Sequence, residues 1–354
     1  MADAANPAEP PRKRKRVTIA DIAERAGVTS GAVSLAVNGK PGVSDTTRAR
    51  ILDVARELRW RPSHAAQTLM GKNSEAVGLV LARPAEVIGE EIFFSKFIAG
   101  VQSTLSGRGY SLLLQMAEDA AAEAAIHQAW ILDGRVDGIL VLDPRIDDPR
   151  IAALAGMDHP TIVVGGQVDR DSIRSVHVDN GGAMGLIMDH LHGLGHDRIA
   201  YVTGDQAFRH ISERMDAFSQ FCVDHGVWGQ SLAGNFDPAQ AREATARLAG
   251  APRPPTAIVF DSEVMAIAGM STLASLGLRV PADVSVLSWE DSTTCQVLHP
   301  TVTALSRDAV SLGRTAAAEI LQLIAGQPVE QEPVVARVIH RESTAAPHPE
   351  PSSA

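Results

Sequence analysis

Seven short runs of branched aliphatic residues, alternating with stretches of helical period, constrain most strongly what this chain can fold into. The runs are AVGLVL (76–81), SLLLQM (111–116), GILVL (138–142), TIVVG (161–165), RIAYVTG (198–204), TAIVF (256–260) and VSVLSW (284–289). Helical patterns lie near 95–107, 119–133, 180–194, 211–225, 237–249, 263–276 and 307–325. A strand buried on one face alternates apolar and polar residues. A continuous Val/Ile/Leu run means a strand covered on both faces, as in a parallel sheet flanked by helices. Two such sets in series predict two doubly wound subdomains. Ligands of such folds bind beyond the carboxyl ends of the strands, here in the cleft between subdomains.

Upstream of these runs, Val17–Asn73 follows a different period. Thr18 is placed to cap a helix, with Asp21 three residues on in a capping box. Ile19, Ile22, Ala23 and Ala26 fall at i, i+3, i+4 and i+7 and form one apolar face. Gly27 stands where a left-handed residue would end that helix, and Val28 is expected to be buried in the turn. Thr29 caps a second helix, whose Val33, Ala36 and Val37 face the first. Ser30, Gly31, Ser34, Leu35 and Asn38 are left on the outside, and Asn38-Gly39 ends the helix. Ser44 caps a third helix with Ile51, Val54, Ala55 and Leu58 on one face. Two helices on a short glycine turn, the second small and polar outside, make the helix-turn-helix pattern. A plain helical hairpin would read the same for the first two helices. The order of caps, turn and third helix is what specifies the motif. Pro62 then opens another short helical pattern, SHAAQTLMG.

Charge divides the chain at the same place. Residues 1–72 hold 13 Lys+Arg and 7 Asp+Glu, a net of +6, while the rest hold 19 and 35, a net of −16. A basic first fifth on an acidic body reads as a separate anion-binding module. The run Arg12–Arg16 is either a solvated tail or a source of non-specific phosphate contact. Cys222 and Cys295 are the only cysteines and show no CxxC spacing, which gives no disulfide framework or zinc signature and fits a reducing cytosol. The first 16 residues lack the apolar region of a secretory signal. No apolar run approaches the roughly 20 residues a membrane helix needs. His190, His192 and His196 are interrupted by Gly193 and Gly195 and read as a capped helix end rather than a metal site. Asp147-Asp148 and Glu90-Glu91 read as solvated faces. No phosphate-binding, nucleophile-elbow or dinucleotide motif occurs, so neither cofactor nor catalytic residues are predicted.

The segments Thr18-Ile19-Ala20-Asp21-Ile22-Ala23, Ala26-Gly27-Val28-Thr29, Ala32-Val33-Ser34, Asn38-Gly39 and Val43-Ser44, with Arg48, Ile51 and Arg61-Pro62, carry a specific likeness. Together they resemble the headpiece of the lactose-repressor/galactose-repressor family of bacterial transcription factors. The resemblance implies that the second helix enters the major groove. It places Ser30, Gly31, Ser34, Leu35 and Asn38 at base edges and Thr18, Thr29, Ser44 and Thr47 at phosphates. Leu35 departs from the family, where arginine is frequent; leucine cannot grip a guanine but can contact a thymine methyl. Readout should then lean on the minor groove and on DNA shape. In the family the segment after Pro62 folds on the operator as a pair from two subunits. Its leucine wedges into the central base step, which places Leu69, with His64 nearby, among the DNA-contacting residues.

The likeness continues, more thinly, through Val77-Gly78-Leu79-Val80, Arg135-Val136-Asp137-Gly138-Ile139, Gly193-Leu194-Gly195-His196, Pro281-Ala282-Asp283-Val284, His299-Pro300 and Arg341-Glu342-Ser343-Thr344. It implies an all-α helix-turn-helix headpiece plus an α/β periplasmic-binding-protein-like core of two doubly wound subdomains. The expected segments are a basic tail (1–16), a DNA-binding domain (17–61), a hinge helix (62–73), a core (74–344) and a disordered tail (345–354). The core divides into subdomain 1 (about 74–177 and 303–334) and subdomain 2 (about 178–292 and 337–344), with crossings near 176–180, 292–303 and 334–337.

For the effector, the family pairs an arginine with an aromatic four residues later, matched by Arg214 and Phe218. An acidic residue follows the strand resembling VSVLSW, here Glu290 behind Trp289. Sugar-binding members use such an acid and the arginine on adjacent hydroxyls. Ser262-Glu263 replaces a common Asn-Asp pair, and Phe93, Phe94 and Asp143 follow strand ends as further cleft residues. Trp289 with Phe93 or Phe94 could stack on a sugar face. The resemblance therefore implies a cytoplasmic, nucleoid-associated regulator in a bacterium, a repressor with no enzymatic activity. It would act as a homodimer or higher assembly on a near-palindromic double-stranded operator, under control of a small-molecule effector, a carbohydrate. Two other classes fit parts of the chain: a small-molecule-binding protein of the periplasmic type without a DNA role, and an α/β enzyme.

Overall fold

The structure is a computed structural model. It describes residues 17–60, 73–166, 168, 173–176, 178–328 and 335–348. The expected basic tail and nearly all of the expected hinge, with His64 and Leu69, lie outside the described residues. The chain forms two units, Met1–Lys72 and Asn73–Ala354.

Among the described residues the first unit has three helices, α1 (Ile19–Ala26), α2 (Ser30–Val37) and α3 (Asp45–Glu57). Each starts where a hydroxyl side chain can accept from a free N–H of the first turn. Thr18 accepts from the Asp21 N–H while Asp21 accepts back from the Thr18 N–H, the reciprocal box expected from the spacing. Thr29 accepts from Ala32 and Ser44 from Thr47. Gly27, at φ 63°, ends α1. Ile22, Ala23, Ala26, Val33, Ala36, Ile51, Val54 and Ala55 form the shared core, with Ile19, Val28, Val37 and Leu58 packed at its rim. Arg48 ties α3 to the end of α2 by donating to the Ala36 and Lys40 carbonyls at 3.0 and 2.8 Å.

The second unit has two lobes. The first lobe is a parallel sheet of β1 (Ala76–Leu81), β2 (Ser111–Met116), β3 (Gly138–Leu142), β4 (Thr161–Val164) and β5 (Ile173–Val176), in the order β2-β1-β3-β4-β5. Its helices are α4 (Ala85–Glu90), α5 (Ile92–Gly107), α6 (Ala120–Leu132) and α7 (Pro149–Gly156). The second lobe begins with α8 (Asn180–Gly193), β6 (Arg198–Thr203), α9 (Arg209–His225) and β7 (Trp228–Ala233). It continues with α10 (Pro238–Ala249), β8 (Ala257–Phe260), α11 (Glu263–Ser275), β9 (Ser285–Ser288) and α12 (Thr293–Val297). With β10 (Thr303–Arg307) and β11 (Ala336–Ile339) its sheet has the order β11-β10-β9-β8-β6-β7, parallel except for β11.

The chain returns to the first lobe as α13 (Ala309–Ile324), which lies against α5. The two helices meet backbone to backbone at a pair of glycines. A Cβ at Gly100 would sit 2.1 Å from the Val310 carbonyl oxygen, and one at Gly313 would sit 2.2 Å from that of Phe97. No other residue fits that approach.

Three expectations are corrected here. Residues 303–304 pair with β9 and 304–307 with β11, so this strand belongs to the second lobe, which moves the middle crossing from 292–303 to 307–309. The end of the core extends past Thr344, because Ala345 exchanges two hydrogen bonds with Ser285 Oγ at 3.1 and 3.2 Å. Asp148 and Glu91 are not solvated: both are buried, Asp148 as the cap of α7 and partner of Arg150, Glu91 facing the cleft.

Candidate functional site

The headpiece presents the outer face of α2. Ser30 and Gly31 are exposed, while Ser34, Leu35 and Asn38 are half-buried. Leu35 folds back toward the loop, with its Cδ1 3.0 Å from where a Cβ on Gly42 would lie. The Asn38 amide donates to the Ser34 carbonyl at 2.8 Å, so it is engaged within its own helix. A Cβ at Gly31 would meet nothing nearer than Thr29 Oγ1 at 3.8 Å. Glycine inside a helix costs about 0.5–1 kcal/mol relative to alanine, and packing within the headpiece gives no reason to bear that cost. Thr18, Thr29 and Ser44 are exposed and Thr47 half-buried at the helix starts, with Ser44 Oγ donating to Thr47 Oγ1 at 2.9 Å.

In the second unit the strand ends of both lobes open on one cavity of about 620 Å³, part of it open to solvent. Its wall is built from ion pairs. Arg83, just past β1, holds Asp143, just past β3, at 2.8 Å. Arg214 of α9 donates to Asp261 at 2.8 Å and to the Asn180 side chain at 3.3 Å, and Asp261 also accepts from the Gly204 N–H at 2.7 Å. Arg307, at the end of β10, donates to Glu290 at 3.0 Å. Burial opposes the charge on Asp143, but Arg83, paired with it, and Arg150 hold its carboxyl below the usual range. Burial, with Arg214 next, holds His210 neutral.

The same elements hold the lobes together. The loop after β3 pairs with the loop before α9: the Arg209 N–H donates to the Pro144 carbonyl at 2.8 Å and the Ile146 N–H to that of Ala207 at 3.2 Å. Phe208 lies between two guanidinium groups, Arg83 at 3.9 Å and Arg145 at 4.8 Å from its ring centroid. Glu263 accepts from the Ile92 N–H at 3.2 Å, and Lys96 donates to the Asp291 carbonyl at 2.8 Å. The lobes are closed on each other.

Of the effector residues expected from sequence, Phe93, Phe94, Asp143, Arg214, Ser262 and Glu290 line this cavity. Trp289 does not. It is 1% exposed, sits in the apolar core of the second lobe, and has Arg214 over its ring. Its backbone N–H still donates to the Phe260 carbonyl at the end of β8 at 2.8 Å, and its side chain packs into the core of the lobe rather than lining the cleft. Phe218 is likewise core, against Tyr201. Arg83, Glu91, Asn180, His210, Phe236, Asp261 and Arg307 also line the cavity and were not singled out from sequence. His190 and His196 bond Thr344 and Thr256 at 3.1 and 2.9 Å. Among the described residues no cluster fit to hold a metal is found, and no helix is long and apolar enough to cross a membrane.

A three-helix headpiece with an open reading face, in one chain with a two-lobed core around a polar cavity, defines a ligand-responsive DNA-binding regulator. Comparison with known proteins places it more closely. Residues 18–63 match the family described as bacterial regulatory proteins, lacI family, and residues 188–344 match the periplasmic binding protein-like domain. A solved LacI family transcriptional regulator from Bifidobacterium animalis subsp. lactis is 35% identical, with TM-score 0.72, covering 78% of this chain and 100% of that one. The lac repressor dimer bound to operator and the anti-inducer ONPF is 26% identical, with TM-score 0.81 over 94% of this chain and 100% of that one. A complex of the transcriptional regulator CelR with cellobiose is 26% identical, with TM-score 0.70 over 93% and 100%. The chain belongs to the LacI family of transcriptional regulators, which are DNA-binding proteins rather than enzymes.

Proposed function

We propose that this protein is a repressor that binds a near-palindromic operator as a homodimer and releases or grips it according to a carbohydrate bound between the lobes of its core. It would do so in the bacterial cytoplasm, on nucleoid DNA. The observation that carries the DNA side is the α2 face, where Gly31 leaves open surface that packing does not require. The cavity supports the effector side: Arg214 and its Asp261 partner present the planar, charge-assisted groups that suit adjacent hydroxyls. A solved relative holds cellobiose. Ser30, Gly31, Ser34, Leu35 and Asn38 would meet base edges, and Thr18, Thr29, Ser44 and Thr47 phosphates. His64 and Leu69 would act in the minor groove, with Leu69 as the wedge. Effector binding shifts the population between two arrangements of the lobes, with a coupling of about 1–3 kcal/mol.

The test is a nuclease footprint of the full-length protein on the DNA upstream of its own gene at physiological salt. A protected near-palindrome that fades when the effector is added is expected. No protected palindrome would leave the core as a binding protein without a DNA role.

A further inference from the structure

The cavity's charges do not balance. Three arginines line it, Arg83, Arg214 and Arg307, and each is paired with a carboxylate, Asp143, Asp261 and Glu290. Two more carboxyls, Glu91 and Glu263, line it without a guanidinium of their own. They come from opposite lobes and line the same cavity, and Glu263 Oε1 accepts from the N–H of Ile92, the residue after Glu91. Glu91 is 9% exposed and its Oε1 has no hydrogen-bond partner among the described residues; Glu290 is 3% exposed and its Oε1 is in the same position. The one nearby lysine, Lys96, has its Nζ on the Asp291 carbonyl at 2.8 Å. The histidine of the wall, His210, is neutral. Glu91 Oε1 and Glu290 Oε1 therefore have no donor among the described residues, and Glu91 and Glu263 have no cation paired with them. Buried carboxyl oxygens without donors are costly to leave so.

We infer that the effector carries a protonated amine, an amino sugar or an oligosaccharide of amino sugars, whose ammonium group sits between Glu91 and Glu263. This rests on the carbohydrate reading of the same cavity and narrows it. An ammonium has three donors and no acceptor, which matches unpartnered carboxyl oxygens. Uronates and sugar phosphates offer no donor of positive charge to Glu91 and Glu263, the two carboxyls without an arginine of their own, and are disfavoured. Burial offsets this excess of acid by favouring the protonated carboxyls. Burial pushes the Glu91 carboxyl up to about 8 against the pull of Arg83, and Asp143, Glu263 and Glu290 add to the rise. Burial raises Glu263 as well, Glu290 adding to it and Lys96 opposing. An arriving ammonium favours the carboxylate form, so binding near neutral pH releases a proton from Glu91.

The experiment is titration calorimetry of the full-length protein at pH 7. The panel is glucosamine, galactosamine, mannosamine and chitosan oligosaccharides, each beside its N-acetyl and neutral counterparts and glucuronate. An amine of the panel should bind at least tenfold more tightly than its N-acetylated form. Its heat should vary with the ionisation heat of the buffer as proton release requires, and Glu91→Gln should weaken it at least tenfold. The N-acetyl comparison needs no variant, so it decides the matter even if that variant folds poorly. Equal binding of a neutral sugar, binding of glucuronate, or an unchanged affinity in Glu91→Gln would overturn the amine inference while the carbohydrate reading stands. No binding by any sugar would overturn both.

Discussion

The guanidinium of Arg214 lies 3.7 Å from the centroid of the Trp289 ring, with its Nη1 on Asp261. Trp289 thus orients the arginine from beneath, and the arginine, not the tryptophan, faces the cavity. A ring under a guanidinium contributes about 1–2 kcal/mol when both are desolvated and fixes the plane of the fork.

Arg214→Lys keeps the charge and loses that plane. We expect effector affinity to fall at least tenfold while operator affinity in the absence of effector stays within twofold. Calorimetry and a band-shift titration on the same preparation measure both. Effector binding unaffected by the change would remove Arg214 from the site.

Phe208 is one of the residues that join the lobes across the cleft. Its ring, between Arg83 and Arg145, bridges a loop of the first lobe to the start of α9 in the second. Phe208→Leu keeps an apolar side chain in its buried place but gives the two cations no ring face, a loss of about 0.5–2 kcal/mol. The lobes should spend more time apart. Small-angle scattering of the unliganded protein should show a larger radius of gyration, and effector affinity should drop by the fraction of closed protein lost. An unchanged scattering curve would show that the backbone pairing of Pro144 with Arg209 is enough.

In the headpiece, Gly31→Ala separates folding from reading. Alanine removes the entropic cost of glycine in a helix, and the Cβ meets nothing nearer than 3.8 Å. Headpiece stability should rise by about 0.5–1 kcal/mol. Specific operator binding should weaken while non-specific binding holds. Chemical denaturation and competition with random DNA give the two readouts. A gain in both would mean that no base edge approaches this position.

Much of this was legible in the chain. Strands β1, β2 and β3 were bounded to the residue: β1 and β3 are buried almost throughout, and β2, though a largely exposed edge strand, still carries the apolar run Leu112–Leu114. The strands that escaped lack that signature. β7, WGQSLA, is an edge strand whose residues are exposed or half-buried, and β10 ends in Ser306 and Arg307. Half of the cavity wall followed a rule already in hand, that ligands meet residues just past strand ends. Arg83 after β1 and Asp261 after β8 satisfy it as well as Asp143 and Glu290 do, and applying it to every strand would have found them. Arg307 and Glu91 had no such signal. Arg307 stands 17 residues from its partner Glu290. Glu91, beside Glu90, looks like a solvated pair until the second lobe covers it.

The last prediction concerns Glu319 of α13, which is 1% exposed and has neither carboxyl oxygen bonded among the described residues. Burial pushes its carboxyl up to about 7. The folded protein then holds a proton that the unfolded chain gives up above the ordinary value of 4.5. Its contribution to stability is fully present below that value and is lost as pH rises through about 7, with a slope of at most about 1.4 kcal/mol per pH unit. Burial depresses His127 and His196 to about 4, so they act the other way, adding stability as pH rises from about 4 to their ordinary 6.5. Glu319→Met removes the carboxyl at similar volume. Relative to the parent, it should gain on the order of 3 kcal/mol at pH 8 and little at pH 5. Urea denaturation at the two pH values measures the difference. An equal effect at both would mean that Glu319 does not titrate in this range and that its burial is relieved by a partner.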